Sequence, residues 1–277
     1  MTNPAPRVAF VFGGGGVRGA VELGILQALL ERGIYPDLLV GTSIGAMNAA
    51  AVANEPNLSV IDTLTESWKS PEAEKIYGDS WYSQAARALR TQTHIISPDP
   101  LRQLLEGILG PNPSFSDLPV PLKVVAANIE NSRERVFDSG PLIPAIMASA
   151  AVPGLFPPTE IDGLHYVDGG VVNSIPVSPA VEAGATEIYV LQVGRIEERL
   201  EVPQTPVEMA QVTFEISRRH RFFRDAGNLP DGTALHLLPS GGQLDGDHKA
   251  SASRDLSKVP ERIKRGYTAA SIYLDNL

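Results

Sequence analysis

Short apolar runs alternate with longer, helix-patterned segments in the first part of the chain. Residues 8–12 form an apolar run of strand type, and residues 20–32 follow with apolar positions spaced four apart. A second apolar run at 37–40 leads into the small-residue helical run 44–53. This alternation is typical of βαβ units, in which helices cover the faces of a parallel sheet.

The alternation continues to the end of the chain, and we find no internal repeat. It predicts an α/β fold of three layers (α/β/α) around a mainly parallel central sheet, with residues 1–277 in one domain. The later segments are predicted as strands at 121–128, 133–138, 164–167, 187–193 and 235–238, and as helices at 142–150, 175–184, 207–225 and 258–277.

Composition excludes several classes of protein. The 277 residues are 43% hydrophobic, enough for a sizeable core, and contain no cysteine, which rules out disulfides and cysteine-based metal sites. The formal net charge of -9 argues against nucleic-acid binding and against electrostatic recruitment to anionic membranes. The N-terminal residues lack the pattern of a signal peptide, and no apolar run is long enough to span a bilayer. We therefore expect a cytoplasmic protein, with peripheral contact at a membrane surface left open.

The first candidate for chemistry is a serine between two glycines. Gly41, Ser43 and Gly45 form the pattern G-x-S-x-G between a predicted strand and a predicted helix. In such a nucleophile elbow the serine lies on a sharp turn, and the chain passes so close to itself that a Cβ at either glycine would clash. The alternative is an ordinary strand-to-helix turn capped by Ser43. The context favours the elbow.

Four consecutive glycines, residues 13–16, follow the first predicted strand. Gly14, Gly16 and Gly19 satisfy the dinucleotide pattern G-x-G-x-x-G, but the acidic residue that should end the second strand is missing. A P-loop is excluded because no Gly-Lys-Ser/Thr follows. Consecutive glycines also let main-chain N–H groups converge on a substrate oxygen, and a nearby serine nucleophile needs such an oxyanion hole. We favour the oxyanion hole.

A carboxylate is predicted at the end of a later strand. Asp168 follows the apolar run at 164–167, and Gly169 and Gly170 allow the chain to turn sharply after it. Open α/β sheets bind ligands at the carboxyl ends of their strands. A Ser-His-Asp triad stays open at this stage, with His220, His236 or His248 as the base; His165 is disfavoured because strand alternation turns it away from Asp168.

Three further segments allow two interpretations each. Residues 70–98 form either a cap over the site or a peripheral helix, and the proline-rich loop 155–158 either lines an acyl pocket or packs under the sheet. The basic, aromatic cluster 218–224 either contacts phosphate headgroups or is the solvated face of a helix. For this cluster we favour the solvated face, because the chain as a whole is acidic.

Taken together, the ordered blocks resemble the patatin-like phospholipase family. They are G-G-G-x-R-G at 14–19, G-T-S-I-G at 41–45 and D-G-G at 168–170, with a proline-broken block at 148–158 upstream of the aspartate. The likeness covers 8–193, and the C-terminal helices and last strand at 207–277 lie beyond it. One departure is Glu22, where many members carry a histidine; we expect an effect on packing or on the position of the loop.

The resemblance implies a lipid acyl hydrolase, a carboxylic ester hydrolase that needs no metal or other cofactor. Ser43 would attack an ester carbonyl, and Asp168 would accept its proton directly, with no histidine between them. The substrate would be a phospholipid or another lipid ester. A non-catalytic protein that binds a nucleotide or a lipid with the same glycine loop remains the alternative. The implied oxyanion hole consists of N–H groups of Gly14, Gly15 and Gly16, with Arg18 helping to fix the loop.

Overall fold

The strands form a single sheet. The structure is a computed structural model that describes residues 7–77, 94–193, 196, 199–242, 244 and 255–277. Within these residues, eight strands pair with one another. They are β1 (Val8–Phe12), β2 (Leu38–Thr42), β3 (Leu122–Asn128), β4 (Arg133–Phe137), β5 (Thr159–Ile161), β6 (Leu164–Asp168), β7 (Glu187–Leu191) and β8 (Ala234–Leu237).

Helices cover the sheet. None of those in the described part of the chain is long and apolar enough to cross a bilayer. They are α1 (Ala20–Glu31), α2 (Ile44–Asn54), α3 (Ser59–Ser67), α4 (Pro71–Tyr77), α5 (Asp99–Leu109), α6 (Leu142–Ser149), α7 (Val177–Glu182), α8 (Pro206–Ala226) and α9 (Val259–Leu274).

The sheet is mainly parallel. Strands β3, β2, β1, β7 and β8 lie side by side in that order and run in the same direction. Strands β4 and β6 pair antiparallel to β3, and β5 pairs antiparallel to β6. The mixed sheet with its helices confirms the predicted fold class, and the parallel crossovers bring the carboxyl ends of β1 and β2 to one edge.

One edge of β3 is shared by two strands that approach each other head to head. Thr42, at the end of β2, pairs with Val125, and Asp168, at the end of β6, pairs with the next residue, Ala126. Strand β4 covers the opposite edge of the same stretch. Because β2 runs parallel and β6 antiparallel to β3, their carboxyl ends meet. The register therefore brings Asp168 next to the turn that follows Thr42.

Apolar side chains fill both faces of the sheet, as expected for a three-layer fold. Phe10 and Phe12 belong to a core that includes residues of α1, α2, α6 and α9. Ala9 and Val11 point to the other face and pack in a core with α7 and with Phe222 of α8. Alternation along β1 thus places successive side chains in opposite layers.

Candidate active site

Ser43 lies on a strained turn between β2 and α2. Its backbone has φ 58° and ψ -126°, a conformation that a residue with a side chain rarely adopts. A Cβ at Gly41 would lie 2.5 Å from the carbonyl oxygen of Gly45, and a Cβ at Gly45 would lie 2.5 Å from that of Phe12. Ser43 therefore lies on a strained strand-to-helix turn at which neither flanking glycine has room for a side chain.

Ser43 and Asp168 are in direct contact. The Ser43 hydroxyl donates to Oδ2 of Asp168 at 2.6 Å, and the N–H of Gly170 donates to Oδ1 at 2.6 Å. Both side chains are buried. The residue after the aspartate has to be a glycine, because a Cβ at Gly169 would lie 2.2 Å from the carbonyl oxygen of Val125. The carboxylate is thus held with one oxygen toward the serine.

Burial makes Asp168 a stronger base than an ordinary aspartate. Loss of hydration raises its pKa to about 6, against the opposing effects of the hydrogen bonds from Ser43 and Gly170 and of the positive charge of Arg218. A carboxyl group with a pKa near 6 is still mainly ionised at neutral pH. At neutral pH Asp168 is therefore mainly ionised, and it binds a proton more tightly than an ordinary aspartate does.

A serine of α6 also fixes the turn at Ser43. The Ser149 hydroxyl accepts a hydrogen bond from the N–H of Ser43 at 2.9 Å and donates to the carbonyl oxygen of Val125. This serine is fully buried. Its role is not predictable from sequence, since a serine at the end of a small-residue helix has no local signal of a contact with β3.

The glycine loop lies beside this pair, but its donors differ from the prediction. The N–H of Gly14 donates to the carbonyl oxygen of Ser174 at 2.9 Å, and the carbonyl oxygen of Gly14 accepts from Nη2 of Arg218 at 2.7 Å. The N–H of Gly14 therefore already has a partner. Gly15 and Gly16 also line the cavity beside Ser43 and are the remaining candidates for an oxyanion hole.

Arg18 and Glu22 lie buried on either side of the start of α1. Arg18 is 5% exposed and borders the cavity. Glu22 accepts a hydrogen bond from Nδ2 of Asn48 at 2.8 Å, and Nδ2 also donates to the carbonyl oxygen of Gly19 at 3.2 Å. Burial raises the pKa of Glu22, so its protonated form is favoured. These contacts tie α1 to α2 behind the glycine loop.

An apolar cavity of about 460 Å³ opens beside Ser43. Leu155 and Phe156 form part of its wall, so the first half of the loop 155–158 lines a pocket while also packing against the core. The described parts of the segment 70–98 also border it, whereas residues 78–93 lie outside the described residues. The larger apolar side chains that line the cavity include Met47, Ile76, Ile96, Leu101, Leu155 and Phe156.

No histidine is among the described residues that line this cavity. His165 is half exposed and bonded to a surface glutamate, which agrees with the predicted orientation away from Asp168. His236 stacks on a tyrosine of β7, and His220 is exposed on α8. His248 lies outside the described residues. The carboxylate that a triad histidine would bind is instead bonded to the serine.

For Arg218 the prediction of a solvated face is wrong. This side chain is 6% exposed and lines the cavity, and its Nη1 lies 3.4 Å from the carboxylate of Glu215, one turn earlier on α8. Helical spacing puts Glu215, Arg218 and Phe222 on the inward face, while Arg224 is exposed. The nearby carboxylate offsets the cost of burying the charge.

The chain is a three-layer α/β protein with a hydrogen-bonded serine–aspartate pair at a strained strand-to-helix turn. The profile of the family described as Patatin-like phospholipase matches residues 10–181. The chain belongs to this family. The match ends before α8, so Arg218 lies outside it.

Relatives agree with this assignment, and one solved structure has a similar fold. The chain is 33% identical over 196 residues to the patatin-like phospholipase domain-containing protein ZK370.4 of Caenorhabditis elegans, covering 69% of this chain and 14% of that protein. It is 31% identical over 195 residues to lysophospholipase NTE1 of Cryptococcus neoformans, covering 69% of this chain and 11% of that protein. The chain thus spans a small part of these relatives. Human GIVD cytosolic phospholipase A2, solved with a fluorophosphonate inhibitor, matches with a TM-score of 0.52 and 15% identity over 96% of this chain and 57% of that one.

Proposed function

We propose that this chain is a lipid acyl hydrolase that uses a Ser43–Asp168 dyad. The observation that carries the proposal is the 2.6 Å hydrogen bond from the Ser43 hydroxyl to a buried carboxylate in the lining of an apolar cavity. Membership of the patatin-like phospholipase family supports the same reaction class.

In the acylation step, the Ser43 oxygen attacks the ester carbonyl carbon while Asp168 accepts the hydroxyl proton. The negative charge that develops on the carbonyl oxygen is stabilised by main-chain N–H groups of Gly15 and Gly16. When the tetrahedral intermediate collapses, the carbon–oxygen bond to the alcohol breaks, and Asp168 returns the proton to the leaving alkoxide. The acyl group is then bonded to the serine oxygen.

In the deacylation step, water attacks the acyl-enzyme. Asp168 accepts a proton from this water and then gives it to the Ser43 oxygen as the acyl–oxygen bond breaks. The product is a free fatty acid, and both side chains return to their starting protonation states. One carboxylate thus acts as base and acid in turn, as the histidine of a triad does.

A lipid ester is the substrate class that the cavity favours. Its walls are mainly aliphatic and aromatic, and its volume of about 460 Å³ is within the range of small-molecule sites. Burying one hydrocarbon chain there contributes about 0.8 kcal/mol for each methylene group. The name of the C. neoformans relative, a lysophospholipase, makes a single-chain phospholipid the first substrate to test.

The test is release of fatty acid from defined lipids by the purified chain. A lysophospholipid, a diacyl phospholipid and a triacylglycerol are each incubated with the wild type, Ser43→Ala and Ser116→Ala. We expect release by the wild type and by Ser116→Ala, whose serine is exposed on the surface, and loss of at least about 1,000-fold in Ser43→Ala. Equal release by the wild type and Ser43→Ala, or none from any lipid by the wild type, would refute the proposal.

A further inference from the structure

Arg218 reaches the glycine loop from a part of the chain outside the family match. It lies on α8, and its Nη2 donates to the carbonyl oxygen of Gly14 at 2.7 Å across 204 residues of sequence. The side chain is 6% exposed and borders the cavity that contains Ser43 and Asp168. A buried arginine at this place costs hydration free energy, so its contacts deserve a functional explanation as well as a structural one.

The peptide unit between Gly14 and Gly15 is the point at which this contact acts. A trans peptide is planar, so its N–H points away from its carbonyl group. The carbonyl oxygen of Gly14 points at Arg218, and the N–H of Gly15 therefore points away from Arg218. Both residues lack a Cβ, so this peptide unit rotates more easily than one between larger residues. A hydrogen bond to its carbonyl oxygen fixes its orientation.

We propose that Arg218 is a positioning residue of the reaction. It holds the Gly14–Gly15 peptide so that the N–H of Gly15 stays available to the oxyanion, and it places a fixed positive charge in the cavity that contains the Asp168 carboxylate. This inference rests on the proposed function. It extends that function to α8, a helix that follows the family-matched region, by giving one of its residues a role in the reaction.

The charges around the dyad agree with the second part of the proposal. Asp168 and Arg218 of α8 line the same cavity, and so does Arg18. The carboxyl group of Glu22, on α1, lies behind the glycine loop, where burial raises its pKa. On α8 itself, Glu215 is within 3.4 Å of Arg218. The positive charge of Arg218 lowers the pKa of Asp168, against the larger effect of burial.

The experiment replaces Arg218 by Lys, Gln and Met and measures kcat and KM for a soluble acyl ester across pH. Lysine keeps both the charge and an N–H donor, glutamine keeps a donor alone, and methionine keeps neither. Arg224→Gln, an exposed change on the same helix, is the matched control. Thermal melting reports whether each variant is folded.

We expect Arg218→Met to lose about 10- to 100-fold in kcat, with KM changed less than about twofold, because the interaction matters in the transition state. The acidic limb of kcat/KM should move to higher pH in the Met and Gln variants and stay in place in the Lys variant. A structural role alone would not move this limb in a charge-dependent way. Arg218→Lys should recover most of the kcat.

A folded Arg218→Met variant with wild-type kcat and an unmoved limb would overturn the inference while leaving the proposed function intact. Equal losses in all three variants without movement of the limb would do the same. If Arg218→Met does not fold, the Lys and Gln variants decide. The inference is overturned if the acidic limb of kcat/KM lies at the same pH in both of them. A wild type that cleaves no ester would instead remove the proposed function, and this inference with it.

Discussion

Thr42 and Asp168 pair with successive residues of the same strand, although 125 positions separate Asp168 from the serine that follows Thr42. Two strands end head to head along one edge of β3. The pairing of β2 and β6 with β3 thus brings the serine and the carboxylate together, and the segments that follow them lead the chain away from the sheet. Sites built on sheet elements are held more rigidly than sites built on loops.

The rate should depend on pH through Asp168. Burial raises its pKa to about 6, and the base has to be ionised to accept the serine proton. We therefore expect kcat/KM to be constant above neutral pH and to fall about tenfold for each pH unit below about 6. An unperturbed histidine has a pKa of about 6.5 and would give a similar limb. The profile is therefore also measured for His220→Ala, His236→Ala and His248→Ala. A limb that disappears in one of these variants would contradict the dyad.

The protein should gain stability when Asp168 is made permanently neutral. Its folded-state pKa is raised from 3.8 to about 6, so the stability this group contributes is present below pH 3.8 and lost as pH rises through about 6. Asp168→Asn should therefore raise the free energy of unfolding at pH 7 to 8 by up to about 3 kcal/mol, since one pKa unit corresponds to about 1.4 kcal/mol.

That gain should vanish below about pH 4, where the wild-type carboxyl group is protonated as well. Urea denaturation at the two pH values measures it. The control is Asp138→Asn, an exposed change remote from the cavity lining, which should leave the difference between the two pH values unchanged. A variant that is less stable than the wild type at neutral pH would show that ionised Asp168 stabilises the fold.

The glycine loop should not tolerate a side chain at Gly15. A Cβ there would lie 2.6 Å from Cγ2 of Val193, so the loop or the valine has to move. Because the N–H groups of the loop must be aimed to a fraction of an ångström, we expect Gly15→Ala to reduce kcat by about 100-fold, the effect of losing one oxyanion donor. Initial rates on a soluble ester measure this loss.

The matched control for this change is Gly107→Ala. Gly107 is exposed inside α5, with nothing within 4 Å of an added Cβ. It should leave the rate unchanged and raise the free energy of unfolding by about 0.5–1 kcal/mol, because alanine favours the helix. A Gly15→Ala enzyme as fast as this control would show that the loop is not part of the oxyanion hole.

Met47 should limit the length of the acyl chain. It lines the cavity beside Ser43 and also a second, small void of about 10 Å³ bounded by Leu64 and Trp68. Met47→Ala should join the two spaces and shift the preferred ester toward longer chains, whereas Met47→Phe should shift it toward shorter ones. Relative kcat/KM over p-nitrophenyl esters from butanoyl to palmitoyl measures the shift, since a ratio is insensitive to loss of folded enzyme. An unchanged chain-length profile in both variants would show that Met47 does not limit the length of the acyl chain.

The turn at Ser43 could be predicted from sequence because its pattern, G-x-S-x-G, is local. Gly41 and Gly45 flank Ser43 in the sequence. The clash at Gly41 arises within the turn, whereas the clash at Gly45 is with the carbonyl oxygen of Phe12 at the end of β1. Asp168 was located only by its position at a strand end and by the family resemblance. Nothing local specifies that β6 runs antiparallel to β3, which is what brings the carboxylate to Ser43.

The contacts made across long sequence separations were not predictable in this way. The N–H of Gly14 bonds to Ser174, so one of the three expected oxyanion donors is occupied. Arg218 was assigned to a solvated face because a basic run in an acidic chain is usually exposed. The signal that indicates burial is the combination of Glu215 three residues before it and Phe222 four residues after it, on one helical face.

The most direct test of the account is the rate at which a fluorophosphonate labels Ser43 as a function of pH. The reagent reacts with an activated serine and needs no lipid to bind. We expect the wild type to be labelled with a rate that rises through about pH 6, Asp168→Asn to be labelled at least about 100-fold more slowly, and the three histidine variants to match the wild type. Rapid labelling of Asp168→Asn, or loss of labelling in a histidine variant, would contradict the Ser43–Asp168 dyad.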